Sequence, residues 1–259
     1  MSRPVPISRR LVARAASVLR PGQSFSVDEN GWWANAQPEA TFVSPALHFT
    51  PYAEVERGVR RNWKHEPRPG DTIIDVGAGI GEETVVFARR VGDAGRVVAI
   101  EAHPQTFACL QETVRRSGLR NVTAIFCAVA DSDGTATISS GDDHLANSLV
   151  AADDGVRVPA RSLDSLAAEL GLGRVDFLKM NIEGAEALAV RGMSAIAPRL
   201  RQLAISCHDF RADHGDCDGF RTKMQVRAAL ERFGFRIETR PDSPEDWLRD
   251  YLYGRREAA

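Results

Sequence analysis

The sequence is poor in cysteine and lysine, and it contains no long apolar run. Its four cysteines are widely spaced and form no C-x-x-C pair, which favours free thiols in a reduced, cytoplasmic compartment. No apolar stretch approaches the roughly 20 residues that a membrane span needs. The net charge of −2 gives no electrostatic reason to expect a nucleic acid or a membrane as partner. Lysine occurs only at Lys64, Lys179 and Lys223, so arginine carries almost all the positive charge, as in GC-rich bacterial genes.

The first 69 residues differ from the rest of the chain. Residues 1–20 are rich in arginine and free of acids, and they predict a short amphipathic helix or mobile arm that ends at Pro21-Gly22. Residues 25–70 are rich in aromatics and prolines, which predicts an irregular segment with a possible short helix over residues 52–63. Such a segment either helps to roof a ligand pocket or only packs on the core. We therefore expect an N-terminal extension and lid over residues 1–69 and a ligand-binding domain over residues 70–259.

From residue 71 onwards, strand and helix patterns alternate regularly. The pattern predicts strands at 71–76, 96–101, 122–129, 175–180 and 202–206, with helices at 82–91, 104–117, 185–193 and 223–233 between or after them. An extra strand is expected near 135–139, and residues 235–240 and 252–255 predict a final antiparallel pair. Strands joined by helical crossovers indicate an α/β, Rossmann-like, doubly wound and mostly parallel sheet, with an antiparallel last strand.

The most informative stretch is DTIIDVGAGIG at residues 71–81. A buried strand leads into Asp75 and then into three glycines on alternate positions, Gly77, Gly79 and Gly81. In a dinucleotide fingerprint the third glycine comes one position later, and here Glu82 occupies that place. Two glutamates in the first helical turn would repel a pyrophosphate. S-adenosylmethionine, which carries an ammonium and a sulfonium but no phosphate, suits these acids better. The alternative is a glycine-rich turn that binds no ligand.

Polar residues also follow the other strands, at the sheet edge where such folds bind ligands. Glu101 ends the second strand and can accept hydrogen bonds from both ribose hydroxyls, or it is a solvated charge. Asp131 follows the third strand and can accept from the adenine amino group, although D-S-D-G is also a plain turn sequence. The predicted cofactor-binding residues are Asp75, Gly77, Ala78, Gly79, Gly81, Glu101, Ala102, Ala130, Asp131 and Asn181.

Several motifs resemble the FkbM family of S-adenosylmethionine-dependent methyltransferases. They are DVGAGIG (75–81), VVAIEAHP (97–104), AVADSDG (128–134), SLDSL (162–166) and, above all, FLKMNIEGAE (177–186). The resemblance covers roughly residues 70–210 and implies a class I methyltransferase fold with methyl transfer to hydroxyl oxygens, often on sugars or secondary metabolites. The chain departs from the family pattern at Asn181, where an aspartate is usual, and at the fifth strand end, which reads S-C-H-D.

An aliphatic hydroxyl needs help to lose its proton, so a base or a metal is expected. His208 is the best base by its ordinary pKa, Glu183 is the other candidate, and Asn181 lies on the same rim. His208 can equally be a structural histidine. As an alternative, Asn181, Glu183, His208 and Asp209 could hold a divalent cation such as magnesium, with the asparagine lowering its affinity.

These observations predict O-methylation of a small metabolite, sugar or natural product by a cytoplasmic bacterial enzyme. The acceptor is expected between residues 25–65 and a polar loop at 141–154, where His144 and Asn147 face it. An N- or C-methyltransferase on the same scaffold stays open, as does a cofactor-binding protein without catalysis. The expected partner is a small-molecule acceptor, and the oligomeric state is not predicted.

Overall fold

The computed structural model describes residues 6–138 and 155–256. Its N-terminal part contains helix α1 (Ile7–Leu19), strands β1 (Ser24–Val27), β2 (Trp33–Ala36) and β3 (Thr41–Ser44), and helix α2 (Tyr52–Trp63). The three strands form an antiparallel sheet in the order β1-β2-β3. The prediction of an irregular segment over residues 25–70 is therefore wrong for this stretch. Its prolines at 38 and 45 lie just outside the strands, where they interrupt no hydrogen-bonded pair.

The second part follows the predicted alternation. It contains β4 (Thr72–Val76), α3 (Glu82–Val91), β5 (Arg96–Glu101), α4 (Pro104–Arg116), β6 (Val122–Phe126), β7 (Ala128–Val129), β8 (Gly134–Ile138), β9 (Val156–Arg161), α5 (Leu163–Glu169), β10 (Val175–Asn181) and α6 (Glu186–Arg191). After these come β11 (Leu200–Ser206), α7 (Asp209–Asp213), α8 (Lys223–Arg232), β12 (Arg236–Glu238), α9 (Asp246–Arg249) and β13 (Tyr251–Arg255). Short 3₁₀ turns precede β11 and α8.

Seven of these strands form the central sheet in the order β12-β13-β11-β10-β4-β5-β6. The pairs that join β4, β5, β6, β10 and β11 are parallel, whereas β13 runs antiparallel to both neighbours. This confirms the predicted doubly wound sheet with an antiparallel last strand. The strand order reverses between β4 and β10, and at such a switch point the carboxyl ends of two strands leave a crevice for a ligand.

The predicted third strand, residues 122–129, is broken at Cys127. Its first part is β6, while β7 leaves the central sheet and pairs with β9, which also pairs with β8. Strands β7, β8 and β9 therefore form a small third sheet. The predicted extra strand is confirmed as β8 up to Ile138, which is the last described residue before residue 155.

The N-terminal part shares a hydrophobic core with the sheet. Val55, Val59 and Trp63 of α2 are buried and belong to the same cluster as Val86 and Phe87 of α3. The division of the chain at residue 69 stays a prediction, because this packing crosses the proposed boundary. Within the described residues, no helix is both long and apolar enough to cross a membrane.

Candidate active site

The turn between β4 and α3 lies at the switch point, and its shape depends on glycine. Gly77, Gly79 and Gly81 all have positive φ angles, of 73°, 56° and 93°. A Cβ on Gly77 would come within 1.9 Å of the backbone oxygen of Asn181, so β4 and β10 approach too closely for any side chain there. A Cβ on Gly79 would meet nothing within 4 Å. The turn therefore packs against the end of β10 at Gly77 and faces open space at Gly79.

Glu101 is fixed beside this turn at the end of β5. Its Oε2 accepts a hydrogen bond from the Gly79 amide at 2.9 Å, and its Oε1 accepts one from the His103 amide at 2.8 Å. Burial raises the pKa of Glu101, against the lowering effect of these two amides. Each carboxylate oxygen can accept a further hydrogen bond, so the pair suits two neighbouring hydroxyls.

A first cavity opens between the glycine turn, β5 and the end of β10. Its polar walls come from Glu101, Asn181 and Glu183, and its apolar walls include Ile100, Val129, Ile138 and Ile182. A carboxylate at one side and aliphatic side chains at the other match a ribose joined to a flat heterocycle. Among the predicted cofactor residues, Gly77, Gly79, Glu101, Ala102 and Asn181 line this cavity.

A second cavity lies on the other side of the turn, beneath the N-terminal part of the chain. His48, Glu54, Arg57 and Asn62 form one wall, and Glu82, Glu83 and Lys179 form the other. The two cavities share Gly77, Gly79 and Asn181. The expectation that residues 25–65 contribute to a pocket agrees with this wall, whereas residues 141–154, with His144 and Asn147, lie outside the described residues.

Asn181 lies where the two cavities meet. Its side-chain Oδ1 is buried and has no hydrogen-bond partner among the described residues. Buried polar atoms are nearly always paired, because an unpaired one loses its hydration without compensation. An unpaired amide oxygen at the junction therefore points to a ligand donor that completes it.

Lys179 is buried beneath the turn, with only 2% of its surface exposed. Its Nζ lies 2.9 Å from Asp75 Oδ1 and 3.1 Å from Glu83 Oε2, and it donates to the Gly77 carbonyl at 2.7 Å. Burial lowers the pKa of Lys179, but the two carboxylates outweigh that effect and hold the pKa above its ordinary value. One ammonium between two carboxylates leaves a net negative charge beside the turn, as a cationic ligand requires.

His48 and Glu82 form a pair on the wall of the second cavity. His48 Nε2 lies 2.7 Å from Glu82 Oε1, and both side chains are about three-quarters buried. Burial lowers the pKa of His48, but the hydrogen bond and charge of Glu82 outweigh it and raise the pKa above the ordinary value. In the neutral ring Nε2 therefore carries the proton, and Nδ1 is left as an acceptor.

His208 is held between two carboxylates. Its Nδ1 lies 2.7 Å from Glu186 Oε1 and its Nε2 lies 3.1 Å from Glu183 Oε1. Burial lowers the pKa of His208, but the two carboxylates overcome this and raise it to about 10. The ring is therefore an imidazolium near neutral pH and has no free nitrogen with which to accept a proton. This geometry suits a positioning group rather than the predicted base.

Glu183 has a backbone conformation that non-glycine residues seldom adopt, with φ at 51°. Arg211 Nη1 donates to its Oε2 at 2.8 Å, on the opposite side from His208. Burial raises the pKa of Glu183, but the hydrogen bonds from His208 and Arg211 outweigh it and lower the pKa. Strained backbone of this kind persists only where surrounding contacts over-determine it, and it is concentrated at functional sites.

The comparison with known families settles the class of domain. A family model described as the methyltransferase FkbM domain matches residues 75–237, more than half of the chain.

The chain belongs to the FkbM methyltransferase family.

Individual relatives agree with this assignment. The 31-O-demethyl-FK506 methyltransferase FkbM of Streptomyces tacrolimicus is 27% identical over 239 residues, which cover 79% of this chain and 85% of that protein. The AMB antimetabolite synthetase AmbE of Pseudomonas aeruginosa is 30% identical over 165 residues, which cover 61% of this chain but only 7% of AmbE. The crystal structure of methyltransferase FkbM from Methylobacillus flagellatus has a TM-score of 0.50 and 19% identity, over 80% of this chain and 55% of that one. This structural likeness shows the fold.

The residues of this FkbM domain fit S-adenosylmethionine. The open side of Gly79, the two anchored oxygens of Glu101, the apolar walls of the first cavity and the unpaired oxygen of Asn181 all lie along one path. Five predicted cofactor residues do not line the first cavity. Three of them, Asp75, Ala78 and Gly81, belong to the end of β4 and the glycine turn, and Asp75 is paired with Lys179. Asp131 is exposed, with Oδ2 3.5 Å from Arg191, and neither it nor Ala130 lines the first cavity. The contact of Asp131 with adenine and that of Ala130 with the cofactor stay predictions.

The four residues considered for a divalent cation do not form a site. Both nitrogens of His208 contact carboxylates, and Glu183 already receives hydrogen bonds from His208 and Arg211. Asp209 Oδ1 accepts from the amides of Thr222 and Lys223, at the start of α8. Residues 6–138 and 155–256 contain no group of three or more histidine, cysteine, aspartate or glutamate side chains placed to hold a metal. The donor set therefore does not fit a metal, and no step is assigned to one.

Sequence reasoning missed two groups of the candidate site. Lys179 lies in the buried strand β10, and its register partner on β4 is Asp75, so the parallel pairing of the two strands predicts their contact. The signal was available, because a lysine within a buried strand needs a counter-charge. The pairing of His48 with Glu82 had no such signal, since the two are 34 residues apart and His48 lies in no helix or strand.

Proposed function

We propose that the protein transfers a methyl group from S-adenosylmethionine to a hydroxyl of a small polar acceptor. The observation that carries this proposal is the junction of two cavities at Gly77, Gly79 and Asn181. One cavity has the features of a nucleoside site, and the other is lined by polar side chains of the N-terminal part. A methyl group at their junction would face both.

The chain's own residues would hold the cofactor in the first cavity. Glu101 would accept from the two ribose hydroxyls, and Ile100 and Val129 would contact the heterocycle. The methionine part would lie along residues 77–81, where the carboxylates around Lys179 attract its ammonium. When bound, the cofactor supplies an electrophilic methyl group on a sulfonium.

The acceptor would bind in the second cavity and lose its proton to His48. The hydroxyl proton would move to Nδ1 of His48, so that the acceptor oxygen could take the methyl group that the bound cofactor would supply, with S-adenosylhomocysteine as the other product. Glu82 holds the opposite nitrogen and stabilises the charged ring that forms.

The predicted catalytic residues of β10 and β11 would act by position. Asn181 would accept a hydrogen bond from the ligand at the junction, since its Oδ1 has no partner among the described residues. His208, charged and fixed by Glu186, would hold Glu183 in its strained conformation at the edge of the first cavity. Methyl transfer needs alignment more than it needs strong acids or bases, so such rigidity is useful.

Isothermal titration with S-adenosylhomocysteine tests the first step. We expect binding by the wild-type protein and by Glu231→Gln, an exposed control on α8, and weaker binding by Glu101→Gln. Absence of wild-type binding would refute the cofactor assignment.

The second step is tested with methyl-tritiated S-adenosylmethionine and a panel of sugars, polyols and hydroxylated macrolides. Label recovered as a base-stable methyl ether supports O-methylation. Label recovered only on nitrogen or carbon would refute it while leaving the cofactor assignment intact.

A further inference from the structure

The surface of α1 is unlike the rest of the molecule. Eight large apolar side chains are exposed in the described residues, and five of them lie in this one helix. These five are Ile7, Leu11, Val12, Val18 and Leu19, with exposed fractions of 77%, 59%, 45%, 80% and 76%. Isolated exposed apolar residues are ordinary, but a concentration in a single helix marks a surface that something covers.

The helix is oriented opposite to the usual amphipathic arrangement. Its inner side consists of the small residues Ala13 and Ala16, which pack against Phe25 and Trp33 of the N-terminal sheet. At 3.6 residues per turn the five large apolar residues occupy an arc of about 140° on the outer side. The helix is thus fixed to the fold by small side chains, while its large apolar side chains face away from the protein.

Positive charge borders this apolar arc. Arg9, Arg10, Arg14 and Arg20 belong to α1 or follow it directly, and the chain contains no acidic residue before Asp28. Arg10 and Arg14 lie along one edge of the arc, and neither makes an ion pair with a described residue. Arg9 donates to the Gly31 carbonyl at 2.7 Å on the inner side. The arginines of the outer side are therefore available to an anionic partner.

We propose that α1 binds the protein to an anionic lipid surface as an interfacial helix. Exposed leucine, isoleucine and valine flanked by arginine are the features with which such helices enter the boundary between headgroups and acyl chains. With a length of about 20 Å and its inner side fixed to the sheet, α1 can lie flat on a plane. The overall charge of −2 does not oppose this, because exposed charges act over about 8 Å at physiological salt.

Charge argues for lipid over a second copy of the chain. Two α1 helices packed through this face would bring their arginines together without a single acid of the same segment to pair with them. An anionic surface instead neutralises the arginines and covers the apolar arc at once. This proposal replaces the expectation from net charge that no membrane partner exists, and it does not depend on the proposed methyl transfer.

Vesicle flotation of the full chain tests the proposal. We expect binding to vesicles of phosphatidylcholine mixed with phosphatidylglycerol, weaker binding to phosphatidylcholine alone, and release at high salt. Because each basic residue near such a surface adds to the attraction, Arg10→Glu with Arg14→Glu should weaken binding by about tenfold or more. Leu11→Glu with Val18→Glu should weaken it by a similar factor, because both substitutions remove an apolar side chain from the arc.

Met224→Glu is the matched control, because this side chain is 75% exposed on α8 and lies outside α1. It should bind like the wild type. Circular dichroism and S-adenosylhomocysteine titration check that each variant is folded. Equal binding to both vesicle types, no binding, or binding that the α1 variants leave unchanged would each overturn the proposal. So would a wild-type dimer, measured by light scattering, that Leu11→Glu with Val18→Glu converts to a monomer.

Discussion

Replacement of Lys179 by methionine should destabilise the fold strongly. The substitution keeps the length of the side chain but removes an ammonium that is 2% exposed and contacts Asp75, Glu83 and the Gly77 carbonyl. Removing one partner of a buried ion pair leaves an uncompensated buried charge and costs about 3–5 kcal/mol. We therefore expect the free energy of unfolding, measured by urea denaturation with linear extrapolation, to fall by about that amount.

The loss should depend on pH in a defined direction. Without the ammonium, Asp75 and Glu83 repel each other, and the pKa of one of them in the folded state rises above its unfolded value. The folded variant then binds more protons than the unfolded chain, so its stability decreases as pH rises through the raised pKa. The deficit of Lys179→Met relative to the wild type should accordingly be smaller at about pH 5 than at about pH 8.

Lys223→Met is the control for this substitution. Lys223 also contacts a carboxylate, Asp250 at 3.2 Å, but its side chain is 27% exposed. An ion pair so accessible to water contributes about 0–1 kcal/mol, so this variant should stay close to the wild type. If both variants lose the same small free energy, or if the deficit of Lys179→Met grows at low pH, the reasoning about buried charge is refuted.

Three further substitutions address the turn and the two cavities. Gly77→Ala should lose about 2 kcal/mol or more of stability, because its Cβ would collide with the backbone of Asn181. It should also lose S-adenosylhomocysteine binding. An unchanged thermal midpoint would contradict this reasoning. Glu101→Gln should bind S-adenosylhomocysteine about tenfold more weakly in calorimetry, because a charged acceptor makes the stronger hydrogen bond. Equal affinity would contradict the contact of Glu101 with ribose. Glu82→Gln should shift the acidic limb of the methyl-transfer profile to lower pH, because the pKa of His48 falls without its carboxylate; an unshifted limb would remove His48 as the base.

The main sheet could be predicted from sequence because its signals are local. Helix α3 was expected at residues 82–91 and has those bounds, since a glycine precedes it and another follows it. The N-terminal sheet was missed because its strands are only four residues long and lie among prolines. Strands so short depend on pairing with one another and on the contact with α1, and neither leaves a periodic pattern.

The candidate site was also predictable only where its signals are local in the sequence. Residues directly after parallel strands must gather at one edge, so the positions of Glu101 and Asn181 followed from the strand pattern alone. The state of His208 did not, because its raised pKa comes from hydrogen bonds with both Glu183 and Glu186, and only the folded chain brings the two carboxylates to the ring. Glu186 is fully buried there. Protonation is a property of the assembled surroundings and cannot be deduced from residue type.

Helix α2 has a practical consequence for efforts to change which acceptor is used. One side of the helix is buried in the core that it shares with the central sheet, through Val55, Val59 and Trp63. Glu54 and Arg57, at neighbouring positions, line the second cavity. A mutant library confined to the latter positions should alter selectivity and still yield folded protein. A library spread evenly along the helix should return mostly insoluble clones, and exchanging residues 1–69 for those of a relative should succeed only when α3 is exchanged with them.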